Sequence, residues 1–203
     1  MLRILAFLLI MFCVLFSVNL YAQERDPDYP QTESEWFDFN DSPYVSGDRT
    51  FNITLGVLFP AYFSGIDSNN HGLSMGGTGS LTFNYFLSPN FFVGGEISGS
   101  FSGTRGGNML YLIPFGVRAG YQFHYRIFEF PISIMIGAAP QRYIENGYFG
   151  LILKPGVSAF WRYNMDWSFG LNTNWWILPQ LPSNGNNVVG NFIELTLSAR
   201  YHF

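Results

Sequence analysis

The sequence is poor in two things on which most globular chains rely. Charged residues make up 12% of its 203 residues, against a usual share of roughly 25%. Cysteine occurs once, at Cys13. So little charge cannot coat the surface of a water-soluble domain of this size. A single cysteine excludes an internal disulfide and a thiolate metal site. Cys13 also lies inside the apolar run "ILAFLLIMFCVLF", which follows Arg3 and precedes "LYA". A basic residue, an apolar stretch and a closing small residue form a secretory signal, so residues 1–22 are expected to be cleaved after Ala22. Phe12, directly before the cysteine, is too bulky for lipoprotein processing.

Other absences narrow the function. Beyond the signal, no apolar run approaches the roughly 18 residues of a transmembrane helix. The histidines His71, His124 and His202 are too scattered for a metal site. None sits beside a serine in a recognisable catalytic motif, and "HGLS" (71–74) is the nearest approach. No glycine-rich phosphate loop and no basic nucleic-acid patch is present. The sequence therefore predicts no enzyme, no cofactor and no nucleic-acid partner.

Charge is also unevenly placed. Residues 23–48 hold eight Asp or Glu, one Arg and three Pro, whereas residues 49–203 hold six acidic and eight basic residues. The first stretch has no periodicity and is predicted to be an acidic, flexible tail, either a solvated leader or a segment that contacts a basic partner or the barrel mouth. "WFDF" (36–39) within it has the composition of an interfacial anchor.

Aromatic residues, at 19%, are plentiful. After Arg49 they fall into runs of period two, which puts alternate side chains on opposite faces of a strand. Strands are predicted at 51–63, 73–87, 91–103, 109–125, 130–139, 148–163, 167–178 and 191–203. Most exceed the roughly 9–11 residues that cross a bilayer at barrel tilt. One face is oily, as in Leu73, Met75, Leu81 and Phe83 on the second strand and Trp167, Phe169, Leu171, Trp175 and Ile177 on the seventh. The other is small or polar, as in Ser74, Thr78 and Ser80 on the second and Ser168, Gly170, Asn172 and Asn174 on the seventh. That second face is too small and too sparsely charged to meet bulk water, but it suits a narrow lumen.

Connections alternate between short ("SPN", "RIFE", "NMD") and long ("SGIDSNNHG", "TRGGN", "APQRYIENG", "PQLPSNGNNVVG"), with aromatic girdles beside both sets. Backbone groups inside a bilayer must all be paired, so the sheet must close. The prediction is all-β: an eight-stranded antiparallel transmembrane up-and-down β-barrel over residues 49–203. It would stand in the outer membrane of a diderm bacterium as a monomer among outer-membrane lipid, with both termini periplasmic. Pro114 and Pro155 fall inside predicted strands, where proline usually marks a bulge.

An eight-stranded barrel is just wide enough for side chains to fill it. Strand parity turns Glu96, Arg118 and Glu194 into the lumen at similar height, with Lys154 above and Arg162 and Arg200 below. Buried charges must pair, so Glu96, Arg118, Lys154 and Glu194 are predicted to form an ion-pair cluster. It would act as a structural plug or as a gate. In the extracellular half, parity turns Leu58, Tyr62, Leu110, Leu112, Ile152, Trp176, Leu178 and Phe192 inward. This set is either packing beneath the loops or an apolar pocket for small hydrophobic ligands. The last strand, with Leu195, Leu197, Ala199, Tyr201 and the terminal Phe203 on one face, has the form of a signal for the barrel-assembly machinery.

Three stretches carry a family resemblance: "LTFNYFLSPNFFVGGEISGSF" (81–101), "GLILKPGVSAFWRYNMDWSFGLNTNWWI" (150–177) and "LTLSARYHF" (195–203). They resemble hairpins and the terminal strand of the OmpW-like family of small outer-membrane barrels. The resemblance implies eight strands, an apolar lumenal pocket and uptake of small hydrophobic molecules. It transfers no ligand-binding residue. The competing expectation is a surface barrel that contacts host molecules through loops 64–72, 140–147 and 179–190.

Overall fold

A computed structural model of the protein describes residues 43–64, 73–104, 107–143, 146–180 and 188–203. The expected signal segment, the acidic stretch up to residue 42 and the tips of the long loops lie outside the described residues. The strands are β1 (Arg49–Ser64), β2 (Leu73–Phe86), β3 (Phe91–Thr104), β4 (Met109–Leu112), β5 (Phe115–Tyr125), β6 (Phe128–Tyr143), β7 (Asn146–Arg162), β8 (Trp167–Gln180) and β9 (Val188–His202). Each pairs antiparallel with its neighbours, and β9 pairs back onto β1, so the sheet closes on itself. β4 and β5 each lie between β3 and β6. They are two parts of one stave, and the barrel has the eight staves that the alternation predicts.

The break in that stave lies at Ile113 and Pro114, where one proline was expected to cause a bulge. Pairing is not lost there. Ile113 N–H donates to the Pro140 carbonyl at 3.0 Å, and Ser98 N–H donates to the Pro114 carbonyl at 2.7 Å. Outward parity also survives, with Ile113 and Phe115 both exposed. Pro155 leaves a gap in the β7–β8 ladder between Leu153–Ile177 and Gly156–Asn174. Pro131 leaves a similar gap between Glu129–Phe160 and Ile132–Val157. Proline has no N–H to give, yet in both ladders the register is the same on either side.

Two other places do shift, each by one residue, and a one-residue slip turns side chains to the opposite face. At Pro60 the β1–β9 pairing moves from Pro60–Phe192 to Tyr62–Asn191. Tyr62, expected in the lumen, is therefore 47% exposed on the outside. Between Leu73 and Gly76 the β2–β3 register slips likewise. Leu73, expected on the oily face, is partly buried against the lumenal core, and Ser74, expected inside, is exposed.

The fifth strand is longer than expected, because β6 runs from Phe128 to Tyr143. Most of "APQRYIENG", expected to be a loop, is paired hairpin, with Arg142 opposite Gly147 and Tyr143 opposite Asn146. Near mid-barrel, β5 and β6 approach so closely at the Gly116–Gly137 pair that a Cβ on Gly137 would meet the Phe115 carbonyl. Glycine is required where backbones meet this tightly.

The outer surface is apolar over its whole circumference. Leu55, Val117, Leu151 and Leu197 stand exposed at mid-height, with aromatic residues such as Tyr125, Tyr163, Trp167 and Phe203 toward the short turns. Such a belt is stable against lipid and not against water. Closure is completed at the very end of the chain. Arg49 and Phe203 exchange two backbone hydrogen bonds of 3.1 Å. The Phe203 ring lies 5.6 Å from Tyr201 and 6.2 Å from Phe83. Deleting Phe203 is expected to lower the unfolding free energy in lipid vesicles by about 1–3 kcal/mol, from two lost hydrogen bonds and two lost aromatic contacts. Denaturant titration checks this, and an unchanged midpoint would show that the seam does not depend on its last residue.

Candidate functional site

The lumen is filled in three storeys, and strand parity decides what each contains. The middle storey carries the charges. Glu96 on β3, Arg118 on β5, Lys154 on β7 and Glu194 on β9 all point inward from separate strands. Lys154 Nζ lies 2.6 Å from Glu96 Oε1 and 2.8 Å from Glu194 Oε2, so one ammonium bridges two carboxylates across the lumen. Arg118 pairs with Glu96 at 3.2 Å and donates to Ser133 Oγ at 2.8 Å. The remaining carboxylate valences are filled: Ser98 Oγ donates to Glu96, while Thr78 Oγ1, Asn174 Nδ2 and Trp176 Nε1 donate to Glu194. Lys154 therefore lies within the cluster, not above it as parity suggested. A buried charge left unpaired costs several kcal/mol, whereas this set holds two acids and two bases.

A second charged storey lies nearer the short turns, and parity had supplied only its cations. Glu129 on β6, counted with the "RIFE" turn, is its acid. The carboxylate accepts from Arg200 at 2.9 Å and from Arg162 at 3.3 Å. It also accepts from Gln122 at 3.0 Å and from Tyr44 at 2.9 Å. Arg200 donates further to Asn52 and Gln122 and stacks 3.7 Å above the Phe160 ring. The rule that could have found Glu129 is that two buried arginines demand an acid at their height.

Tyr44 closes this storey from below. The acidic tail was expected to run to residue 48, but Pro43–Asp48 are described and Tyr44 is 2% exposed. Its ring stacks on Phe86 at 4.0 Å and 8°. Its hydroxyl donates to Glu129 and lies 3.1 Å from His202 Nδ1, whose Nε2 is 2.8 Å from Ser168 Oγ. Burial, with the Glu129 carboxylate beside it, holds the Tyr44 phenol above its ordinary pKa, so it stays a neutral donor. Asp48 anchors the approach by accepting from Val45 N–H at 2.9 Å.

The upper storey, toward the long loops, is apolar. Leu58, Leu112, Ile152, Trp176, Leu178 and Phe192 join Met135 and Ala139 in one buried cluster, with Leu73 and Leu110 half-buried against it. Six strands converge here, β1, β4, β6, β7, β8 and β9. Seven of the eight residues predicted from parity meet; Tyr62 does not, because of the shift at Pro60. Met135, Ala139 and Leu73 are not among the side chains expected in the lumen. Trp176 joins the storeys. Its indole donates to Glu194, and Lys154 Nζ lies 4.8 Å from its ring centre.

The outer face carries open grooves, two of them of about 760 and 720 Å³. The first is lined by residues such as Phe83, Ile97 and Val117, the second by Leu55, Trp161 and Leu197. Both are lined mostly by side chains of the outer apolar belt. His71 of "HGLS" lies outside the described residues, as do most of loops 64–72 and 179–190. Among the described residues, no group of three or more His, Cys, Asp or Glu is placed to hold a metal ion.

The storeys differ in what their loss would do. Glu129→Ala would leave Arg200 buried without a carboxylate, and a loss of about 3–5 kcal/mol in unfolding free energy is expected. Arg162 is more exposed and its contacts are longer, 3.3 Å to Glu129, 3.4 Å to the Met165 carbonyl and 5.1 Å to the Tyr44 ring centre, so Arg162→Ala is expected to lose about 1–2 kcal/mol. Parallel denaturant titrations check this, and equal losses would contradict the assignment of Glu129 to Arg200.

Comparison with known proteins places this geometry. A protein-family model matches residues 29–201. A relative from Treponema pallidum (strain Nichols), described as an uncharacterized protein, is 30% identical over 197 residues, with 90% of each chain covered. Three solved structures share the fold at low identity. Neisserial surface protein A (NspA) has a TM-score of 0.56 at 11% identity, over 78% of this chain and 98% of its own. The Yersinia pestis attachment invasion locus protein Ail, in complex with sucrose octasulfate, scores 0.52 at 12%, over 78% and 100%. The outer membrane protein OprG from Pseudomonas aeruginosa scores 0.51 at 10%, over 81% and 99%.

Proposed function

We propose a function on the premise that the chain belongs to the same family as the Treponema pallidum protein and folds as the small outer-membrane β-barrels do. The protein is an outer-membrane barrel that takes small hydrophobic molecules into its upper storey and passes no continuous stream of water or ions. Its short-turn end and both termini face the periplasm, and its long loops face outward. One observation carries this reading. The apolar side chains of Leu58, Leu112, Ile152, Trp176, Leu178 and Phe192 meet inside the barrel, directly above a layer of paired charge.

A barrel of this kind needs apolar residues on its outside, where lipid is. It does not need a wholly apolar layer within, where the rings of the lower lumen, such as Phe86 and Phe160, stack on polar partners. An inward apolar cluster is therefore surplus to spanning the membrane. It has the composition of a small-molecule site, which is apolar with a few placed polar groups. Leu73 and Leu110, half-buried at the edge of the cluster, form its entry side. The charged layer below is the floor, since an apolar molecule gains nothing by entering a layer of paired charge. The resemblance of residues 81–101, 150–177 and 195–203 to the OmpW-like family favours the same reading.

The test uses the folded chain in lipid nanodiscs with a naphthylamine probe that fluoresces in apolar surroundings. Saturable binding is expected, and Leu112→Asn and Ile152→Asn should each weaken it by about tenfold, from a loss of roughly 1–3 kcal/mol of apolar contact. Heat-modifiable gel migration verifies that the variants still fold. Absence of saturable binding, or binding indifferent to both variants, would leave the upper storey as packing alone.

A further inference from the structure

The wall of the upper storey is not apolar all the way round. On β3 the inward residues after Glu96 are Ser98, Ser100 and Ser102. Ser98 is occupied, since its hydroxyl donates to Glu96. Ser100 and Ser102 are buried, and neither hydroxyl has a hydrogen-bond partner among the described residues. Burying a hydroxyl unpaired is unfavourable, and native structures hold few such groups. Two lie here on one face of one strand, roughly 7 Å apart at about 3.4 Å per residue.

Their position ties them to the apolar cluster. Ser100 sits directly across the β3–β4 ladder from Leu112, and Ser102 from Leu110. Leu112 is part of the cluster, and Leu110 is on its entry side. On the other flank, Ser102 faces Gly76 of β2. A Cβ at position 76 would meet the Phe101 carbonyl first and then the Ser102 hydroxyl, so the glycine lets the two backbones approach and leaves that hydroxyl its space.

We infer that the site is built for an amphipathic ligand, an alkyl-chain molecule with one neutral hydrogen-bonding head. This rests on the reading of the upper storey as a ligand site and names the chemical class it takes. The alkyl body lies against Leu58, Leu112, Ile152, Trp176 and Phe192, and the head meets Ser100 and Ser102. A serine hydroxyl both donates and accepts, so an alcohol, ester or ketone head suits it. The head is neutral because the floor offers no spare charge: Glu96 and Glu194 are matched by Lys154 and Arg118. A site that hydrogen-bonds a head group discriminates strongly against the analogue lacking it, because its own polar groups are then left unpaired.

The experiment displaces the naphthylamine probe from the folded full chain in nanodiscs with 1-decanol and with decane, each corrected for its partition into the lipid. Wild type is expected to bind decanol about tenfold more tightly than decane, the effect of one or two modest hydrogen bonds. Ser100→Ala/Ser102→Ala should bind both equally, with its decane affinity unchanged. Ser198→Ala is the control. It removes a hydroxyl that is equally buried and unpartnered among the described residues, but lies on β9 opposite Thr54, away from the cluster. It should keep the preference. Equal binding of decanol and decane by wild type overturns the inference. So does a preference that survives in the double variant, or failure of both compounds to displace a bound probe; each of these leaves the apolar site standing. If the probe itself does not bind, the apolar site and this inference fall together.

Discussion

Lys154 is the residue on which the interior depends. Its ammonium joins Glu96 on β3 to Glu194 on β9, strands that do not touch each other in the sheet. A closed sheet fixes neighbouring staves through backbone hydrogen bonds but leaves the middle of the tube to its side chains. There the bridge converts two carboxylates, each untenable alone in so narrow a space, into a balanced layer with Arg118. The rest of the lumen is arranged about this layer. Polar and charged groups below it reach Tyr44, and apolar groups above it reach the loops. Trp176 is shared, giving its N–H to the layer and its ring to the cluster.

The lower storey repeats the solution with opposite proportions. One acid, Glu129, serves two arginines, and neutral donors saturate it. Tyr44 matters because it comes from outside the sheet. The segment before β1 reaches back into the mouth of the barrel, so the chain both opens and closes at one end: Tyr44 fills the lumen while Arg49 and Phe203 close the seam. Contact of the tail with the barrel mouth is one of the two readings of the sequence, but its acidity does not point to Tyr44, since the residue that is held is an aromatic one.

Period two made the fold legible, because a strand's two faces see lipid and lumen, and no soluble architecture explains an oily face of that size. Parity also named most of the interior, but it is a count, and one inserted residue reverses it. Tyr62 fails beyond Pro60, and Leu73 fails beyond the slip before Gly76. Proline in a strand proved an uneven guide. Pro60 shifts the register; Pro131 and Pro155 only interrupt the ladder, and Pro114 splits a stave without disturbing its faces. Which of these happens depends on what the partner strand offers at that point, and a single sequence does not state it. Glu129 was missed for a related reason: placed in a turn, it had no inward direction to count. The two serines are visible on β3, but only the structure says that they lack partners.

The central claim is that two layers of paired charge close the lumen beneath the apolar storey. Conductance across planar lipid bilayers tests it most directly. The folded protein should insert and carry no steady ionic current, since Lys154 with its two carboxylates and the Tyr44 storey occupy the lumen at two heights. A steady single-channel conductance that scales with salt concentration, observed with the intact chain, would contradict the account.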